Sequence, residues 1–275
     1  MTRILPTALV MGVIVGLLVA AYMNVFNVPV MEWAIALEGC DIDRAGCAAQ
    51  LAAAEDEAPL PLSFLTSLGG QRIGMSVGLA VVGVLCAAVF TGLYHLMRNA
   101  TPGWNPWAWA AVAGLLGFWG VSLYTQIKFP LNPPGIGSEG TLLARQGFQF
   151  LFIAVSTLSV AVVVYGVGVV NRTSAASGRW LRYGGIGFAY TVVALLLAFA
   201  LPGVRDAAPD WLPPELTIMF RTFTAGGHFL LWMGIAFATI GYRYYRERDV
   251  HAYPQVSGLG PGHVRLIRCS HPLTR

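Results

Sequence analysis

The sequence predicts an all-α membrane protein, a bundle of about six transmembrane helices with its N- and C-termini cytoplasmic. Three observations predict it. The chain is 56% hydrophobic and only 11% charged, six charge-free apolar windows recur along it, and its basic residues gather on alternate connections. An ordinary soluble domain carries roughly 25% charged residues, and a chain of 275 residues exposes too much surface to water to do with so few. A bilayer is the solvent that tolerates the deficit. The net charge of +4 does not point to nucleic acid, because the arginines are scattered between apolar runs rather than collected in a patch.

A helix needs roughly twenty apolar residues to cross about 30 Å of hydrocarbon at 1.5 Å per residue. The predicted spans are 5–26, 73–97, 104–127, 148–170, 183–201 and 222–242, each free of Asp, Glu, Lys and Arg. The first has only Arg3 ahead of it and reads as a retained span rather than a cleaved leader. Arg98 closes the second, Lys128 the third, and Arg221 and Arg243 bracket the sixth. The fifth is the shortest and ends at Leu201-Pro202-Gly203, a helix stop. Runs this long and continuously apolar exclude barrel strands, which alternate over about ten residues. Helices satisfy the backbone in lipid. The transmembrane domain is thus assigned to 1–245, and 246–275 to a soluble, disordered cytoplasmic tail. That tail holds His251, His263, Cys269 and His271, but their irregular spacing in a Gly/Pro-rich segment does not define a metal site.

With the N-terminus inside, eleven of the 17 basic residues fall on the cytoplasmic side, which fixes the orientation. Eleven of the 13 acidic residues then lie outside, with only Glu247 and Asp249 inside. Small residues are spaced for close helix approach: Gly12 and Gly16, Gly74 and Gly78, then Gly114, Gly117 and Gly120, and finally Gly226, Gly227 and Gly234.

The first outer connection, 27–71, is long and acidic. It carries Cys40 and Cys47, for which a local disulfide in an oxidising compartment, free thiols and a metal site all stay open, the six-residue gap being unusual for zinc. The second, Lys128-Phe129-Pro130-Leu131-Asn132-Pro133-Pro134-Gly135, concentrates helix breakers at a membrane boundary before Arg145 and Gln146 open the fourth span. The third repeats the theme with Pro213-Pro214 ahead of Arg221. Non-helical backbone at membrane depth must face water or protein, so two such segments on one face are candidates to line a mouth.

Ionisable groups inside the bilayer are the default functional candidates. His228 lies about two turns inside the outer end of the sixth span and is the candidate metal contact; His95 lies near the inner end of the second. Helix rise separates them by roughly 15–20 Å along the normal, so they cannot hold one ion or one haem together. Gln126, Gln149, Asn24, Met75 and Cys86 are weaker polar or soft contacts. There is no phosphate-binding Gly-x4-Gly-Lys loop, no Gly-x-Ser-x-Gly and no His-Glu-x-x-His, so neither ATP hydrolysis nor catalysis has a visible seat.

The stretch 129–137 followed by Arg145-Gln146, the run 212–220 leading through Arg221 to Phe229, Trp232 and Gly234, and the short basic N-terminus before a Gly/Ala-rich helix and an acidic loop together resemble the CbtA family of cobalt transporter subunits. The resemblance covers roughly residues 3–243. It implies a subunit of a divalent metal (cobalt) uptake transporter supplying cobalamin synthesis, in the bacterial cytoplasmic (inner) membrane. It also implies a small His-bearing membrane partner (CbtB-like), with cobalt as transported ion and no tightly bound cofactor. The transport path is expected to involve His228, Lys128, Asn132, Arg145, Gln146 and Arg221. The chain departs from the family where Asn132-Pro133-Pro134-Gly135 replaces a motif that carries a glutamate in many members. The alternative is a membrane assembly subunit that transports nothing.

Overall fold

Apolar residues that would aggregate in water cover the outside of this molecule: Leu18, Leu85, Phe150, Phe188 and Phe199 are all exposed, as a lipid-facing surface requires. The computed structural model describes residues 4–42, 68–132, 142–174, 178–200 and 212–252. Among these every regular element is a helix: α1 (Ile4–Phe26), α2 (Val28–Ile42), α3 (Leu68–Ala100), α4 (Pro106–Gly117), a π-helical segment (Phe118–Leu123), α5 (Tyr124–Lys128), α6 (Leu142–Thr173), α7 (Arg179–Ala200) and α8 (Pro214–Ala252). Six helical stretches are long and apolar enough to cross a membrane, with α4, the π segment and α5 forming the third continuously. They correspond one to one with the predicted windows. The face on which α1 ends is termed distal below, and the opposite face proximal.

The chain divides into two units, 1–240 and 241–275. The first is the bundle. The second starts with the end of α8; the remainder of the expected tail, from 253 onward, lies outside the described residues.

The helices overrun the windows because a helix need not stop where the hydrocarbon does. α3 begins before Arg72, and α8 begins at Pro214, two turns ahead of Arg221. Charged side chains there reach the polar headgroup layer. The third span instead starts late. Gly103 turns the chain with φ of 112°, Asn105 accepts a hydrogen bond from Ala108 N–H at 2.7 Å as N-cap, and Pro106 takes the first helical position, where no N–H is needed.

The long connection 27–71 proves to be helical over Val28–Ile42, which the apolar-window criterion passes over. The chain barely interrupts α1: Asn27 N–H donates to Met23 O at 2.9 Å, and Met31 N–H to Asn27 O at 3.0 Å. Pro29 falls in the first turn, where its missing donor costs nothing. Val30 and Ala34 then recur at helical spacing and pack on Leu212, Leu216 and Phe220 at the start of α8. Glu32 also meets Arg72 of α3 at 2.5 Å. That pair is partly exposed and worth at most about 1 kcal/mol, so the apolar contact holds α2.

The core is centred on Phe90, Leu231, Trp232 and Ile235, all essentially inaccessible. The glycine pattern is only partly used. A Cβ on Gly12 would stand 2.5 Å from Gly83 O and 3.0 Å from Ala87 Cβ, so α1 and α3 touch backbone to backbone. Gly74 and Gly78, with the same spacing, have nothing within 4 Å of a would-be Cβ. Spacing permits an approach; it does not supply the neighbour.

Candidate transport path

The third span is where polar chemistry enters the bundle. Its π segment, Phe-Trp-Gly-Val-Ser-Leu, carries wider turns than an α-helix, a feature frequent at functional sites. Two ladders of side-chain hydrogen bonds leave this span on different sides.

The first ladder joins the third span to the sixth. Ser122 Oγ accepts from Trp232 Nε1 at 3.0 Å. Gln126 Nε2 and His228 Nδ1 lie 3.3 Å apart. Arg221 Nη2 donates to Asn132 Oδ1 at 2.7 Å, and its Nε to Leu131 O at 2.9 Å. As the chain rises through 122 and 126 of the third span and on to 132 beyond it, the partners descend α8 through 232, 228 and 221, an antiparallel register. Arg221, His228 and Trp232 share one stripe of α8, since residues seven and then four apart return to the same side of a helix. Gly117 lets the pair close up: a side chain there would collide with the Trp232 ring.

The second ladder joins the third span to the fifth. Trp119 Nε1 donates to Tyr190 Oη at 2.5 Å, Tyr124 Oη to Ala194 O, and Lys128 Nζ to Ala198 O at 2.6 Å. The partners differ by 71, 70 and 70 residues, so these two helices run parallel. Trp119 and Tyr124 stack with ring centroids 5.4 Å apart and planes 5° from parallel.

The sequence-predicted residues thus separate. His228 is half-buried and paired with Gln126; Arg221 and Asn132 meet directly. Lys128 turns away from that pair toward α7. Arg145 is half-buried and Gln146 exposed near the start of α6. The Pro133–Gly135 breakers and Cys47 lie outside the described residues, as does the Cys40 side chain, so the disulfide expectation does too. Asn27, an unremarked residue at the end of α1, adds a further polar tie to α8 by donating from Nδ2 to Thr224 Oγ1 at 2.9 Å. Ser122 and Trp232 as partners were not foreseen; their only sequence signal is the Gly117 that makes room. Among the described residues no group of three or more His, Cys, Asp or Glu side chains gathers to hold a metal.

Fold and site together define a multi-pass membrane protein whose polar contacts are concentrated between its third, fifth and sixth spans. The family model described as "Probable cobalt transporter subunit (CbtA)" matches residues 1–241. The chain belongs to the CbtA family, and it is a subunit of a membrane transporter. No curated protein and no solved structure matches it.

Proposed function

We propose that this chain is the membrane subunit of a cobalt uptake system in the bacterial inner membrane, with both termini cytoplasmic, the distal face outward, and cobalamin synthesis as the consumer of the ion. The single observation that carries the reading beyond family membership is the antiparallel ladder between the third and sixth spans. It places polar groups in sequence from the distal mouth inward: Arg221 with Asn132, His228 with Gln126, and Trp232 with Ser122. A helix rise of 1.5 Å makes the descent from residue 221 to 232 about 16 Å, half the hydrocarbon thickness. The basic-residue count supports the orientation.

His228 is the residue of this ladder suited to a divalent transition metal, since a neutral imidazole is a borderline-soft ligand, and Gln126 Nε2, 3.3 Å from its Nδ1, orients the ring. One imidazole binds weakly and releases readily, which suits passage rather than storage. Further ligands would come from a small His-bearing subunit. Arg221 holds Asn132 and the carbonyl of Leu131 in place at the mouth, and Lys128 serves the fifth span instead. Arg145 and Gln146, at the opening of α6, are candidates for the same mouth.

The test is uptake of radioactive cobalt by cells expressing this chain, with and without the small subunit and in competition with nickel. Uptake should require the chain and fall about tenfold, equivalent to roughly 1.4 kcal/mol of lost interaction, in His228→Ala. Arg221→Gln should reduce it less. Normal uptake in both variants would remove the ladder from the path. Uptake equal to that of empty cells, with the protein present in the membrane, would leave the assembly-subunit alternative standing.

A further inference from the structure

Along the seam of α6 and α7, which touch where Ile186 packs over Gly166, the surface is grooved. A groove of about 410 Å³ runs between them, lined among others by Val155, Leu158, Val162, Gly166, Ile186 and Val193. Two polar residues also line it, and both have their polar atoms engaged elsewhere. Ser159 Oγ donates to Ser156 O at 2.7 Å within its own helix, and Tyr190 Oη accepts from Trp119 Nε1. What faces the groove is hydrocarbon and ring surface, so its occupant is apolar.

Position narrows the occupant further. From Gly166 to Val155 the groove follows α6 for eleven residues, about 16 Å. That is the depth of one leaflet of a roughly 30 Å hydrocarbon core. Its proximal end lies one turn beyond Arg182 on α7. There Arg179 Nε donates to Ser174 O at 3.0 Å and Arg182 Nη1 to Ser174 Oγ at 2.6 Å, so both guanidinium groups reach across from α7 to the end of α6. They are held over the same gap that the groove continues below. Each guanidinium has five N–H donors, and these bonds use one apiece. Tyr183 donating to Asn171 Oδ1, with Asn171 Nδ2 donating to Ala100 O at 2.7 Å, fixes the two helix ends relative to α3. Arg172 stands exposed in the last turn of α6.

We infer that this groove is a binding site for one anionic phospholipid of the proximal leaflet, its phosphate on Arg179 and Arg182 and an acyl chain along α6 and α7. Arginine forks match phosphate oxygens, and basic pockets between transmembrane helices select anionic headgroups. A polar solute is excluded by the lining, and a zwitterionic lipid lacks the net charge that the arginines favour. The lipid fills the furrow beside a helix pair that already touches where Ile186 packs over Gly166.

The experiment is native mass spectrometry of the purified full-length chain titrated with phosphatidylglycerol or with phosphatidylcholine of the same chains. The chain should retain phosphatidylglycerol about tenfold more tightly. Arg179→Gln with Arg182→Gln should bring the two lipids to near equality. Val162→Trp, which places a ring in the groove while keeping the arginines, should weaken retention of both. Because Val162 is exposed and the two arginines sit at a helix end, these variants test binding without cutting into the core. Equal retention of both lipids by the unaltered chain would overturn the inference. So would unchanged retention in both variants, or a dimer whose mass is lost with Val162→Trp, which would assign the groove to a second copy.

Discussion

The third and fifth spans run parallel and are joined by three hydrogen bonds, yet they are built on opposite principles. In the third, 44% of the apolar window is buried inside the protein; in the fifth, none is. The third span is walled by neighbours, with Gly114 and Gly117 against α8 and Gly120 against Val160 of α6. The fifth has three glycines close together, Gly184, Gly185 and Gly187, and a Cβ on any of them would meet nothing within 4 Å. One helix is a centrepiece whose small residues are spent on contacts. The other is attached along one edge and presents the rest of its surface to whatever surrounds the bundle.

That contrast sets an order of expected effects. The largest falls where the third span meets the sixth: Trp232→Ala removes a fully buried indole and its bond to Ser122, and should cost about 3–5 kcal/mol of stability, read as thermal unfolding in detergent. Next comes Gly83→Val at the backbone contact of α1 and α3. Overpacking there should cost about 1–3 kcal/mol, and a neutral result would mean the two helices are less close than described. Tyr190→Phe deletes the acceptor of Trp119 Nε1, one of three ties to the fifth span. It should cost roughly 0.5–1.5 kcal/mol, with proteolysis at the ends of α7 as the sensitive readout. Smallest is Phe188→Ala on the exposed side of α7, expected within about 0.5 kcal/mol of the parent. A larger loss in native membranes than in detergent would show that a membrane component, lipid or protein, packs on that side.

The six spans were legible because the signal is thermodynamic and local: twenty uncharged apolar residues have few other places to go. The same reasoning could not see α2, since Val28–Ile42 holds Glu32, Glu38 and Asp41 and fails any apolar-window test. Its helical character comes from packing on residues almost two hundred positions later. The candidate site divides in the same way. His228 stood out as an ionisable group in a charge-free window, and Arg221 and Asn132 as polar residues beside breakers. Their partners depend on helix register, which a π segment shifts without leaving a mark in composition. Lys128 illustrates the cost of reading position alone. It lies four residues before Asn132 in the chain, yet it bonds to the fifth span, whereas Asn132 accepts from the arginine on the sixth.

The bonds made by Lys128 and Arg221 also bear on charge in the membrane. Every α-helix carries a partial negative charge at its C-terminal end, where the last carbonyls lack partners. The third and fifth spans both end on the distal face. Lys128 donates to Ala198 O in the last turn of α7, and Arg221 to Leu131 O just past the end of α5. Lys128, itself in the last turn of α5, thus also meets the negative end of α7, a contribution of about 0.3–1 kcal/mol. The few basic residues on this face are therefore partly spent on the protein's own electrostatics. On the transport reading proposed above, a divalent cation arriving at this face would meet less repulsion than a simple count of arginines and lysines predicts.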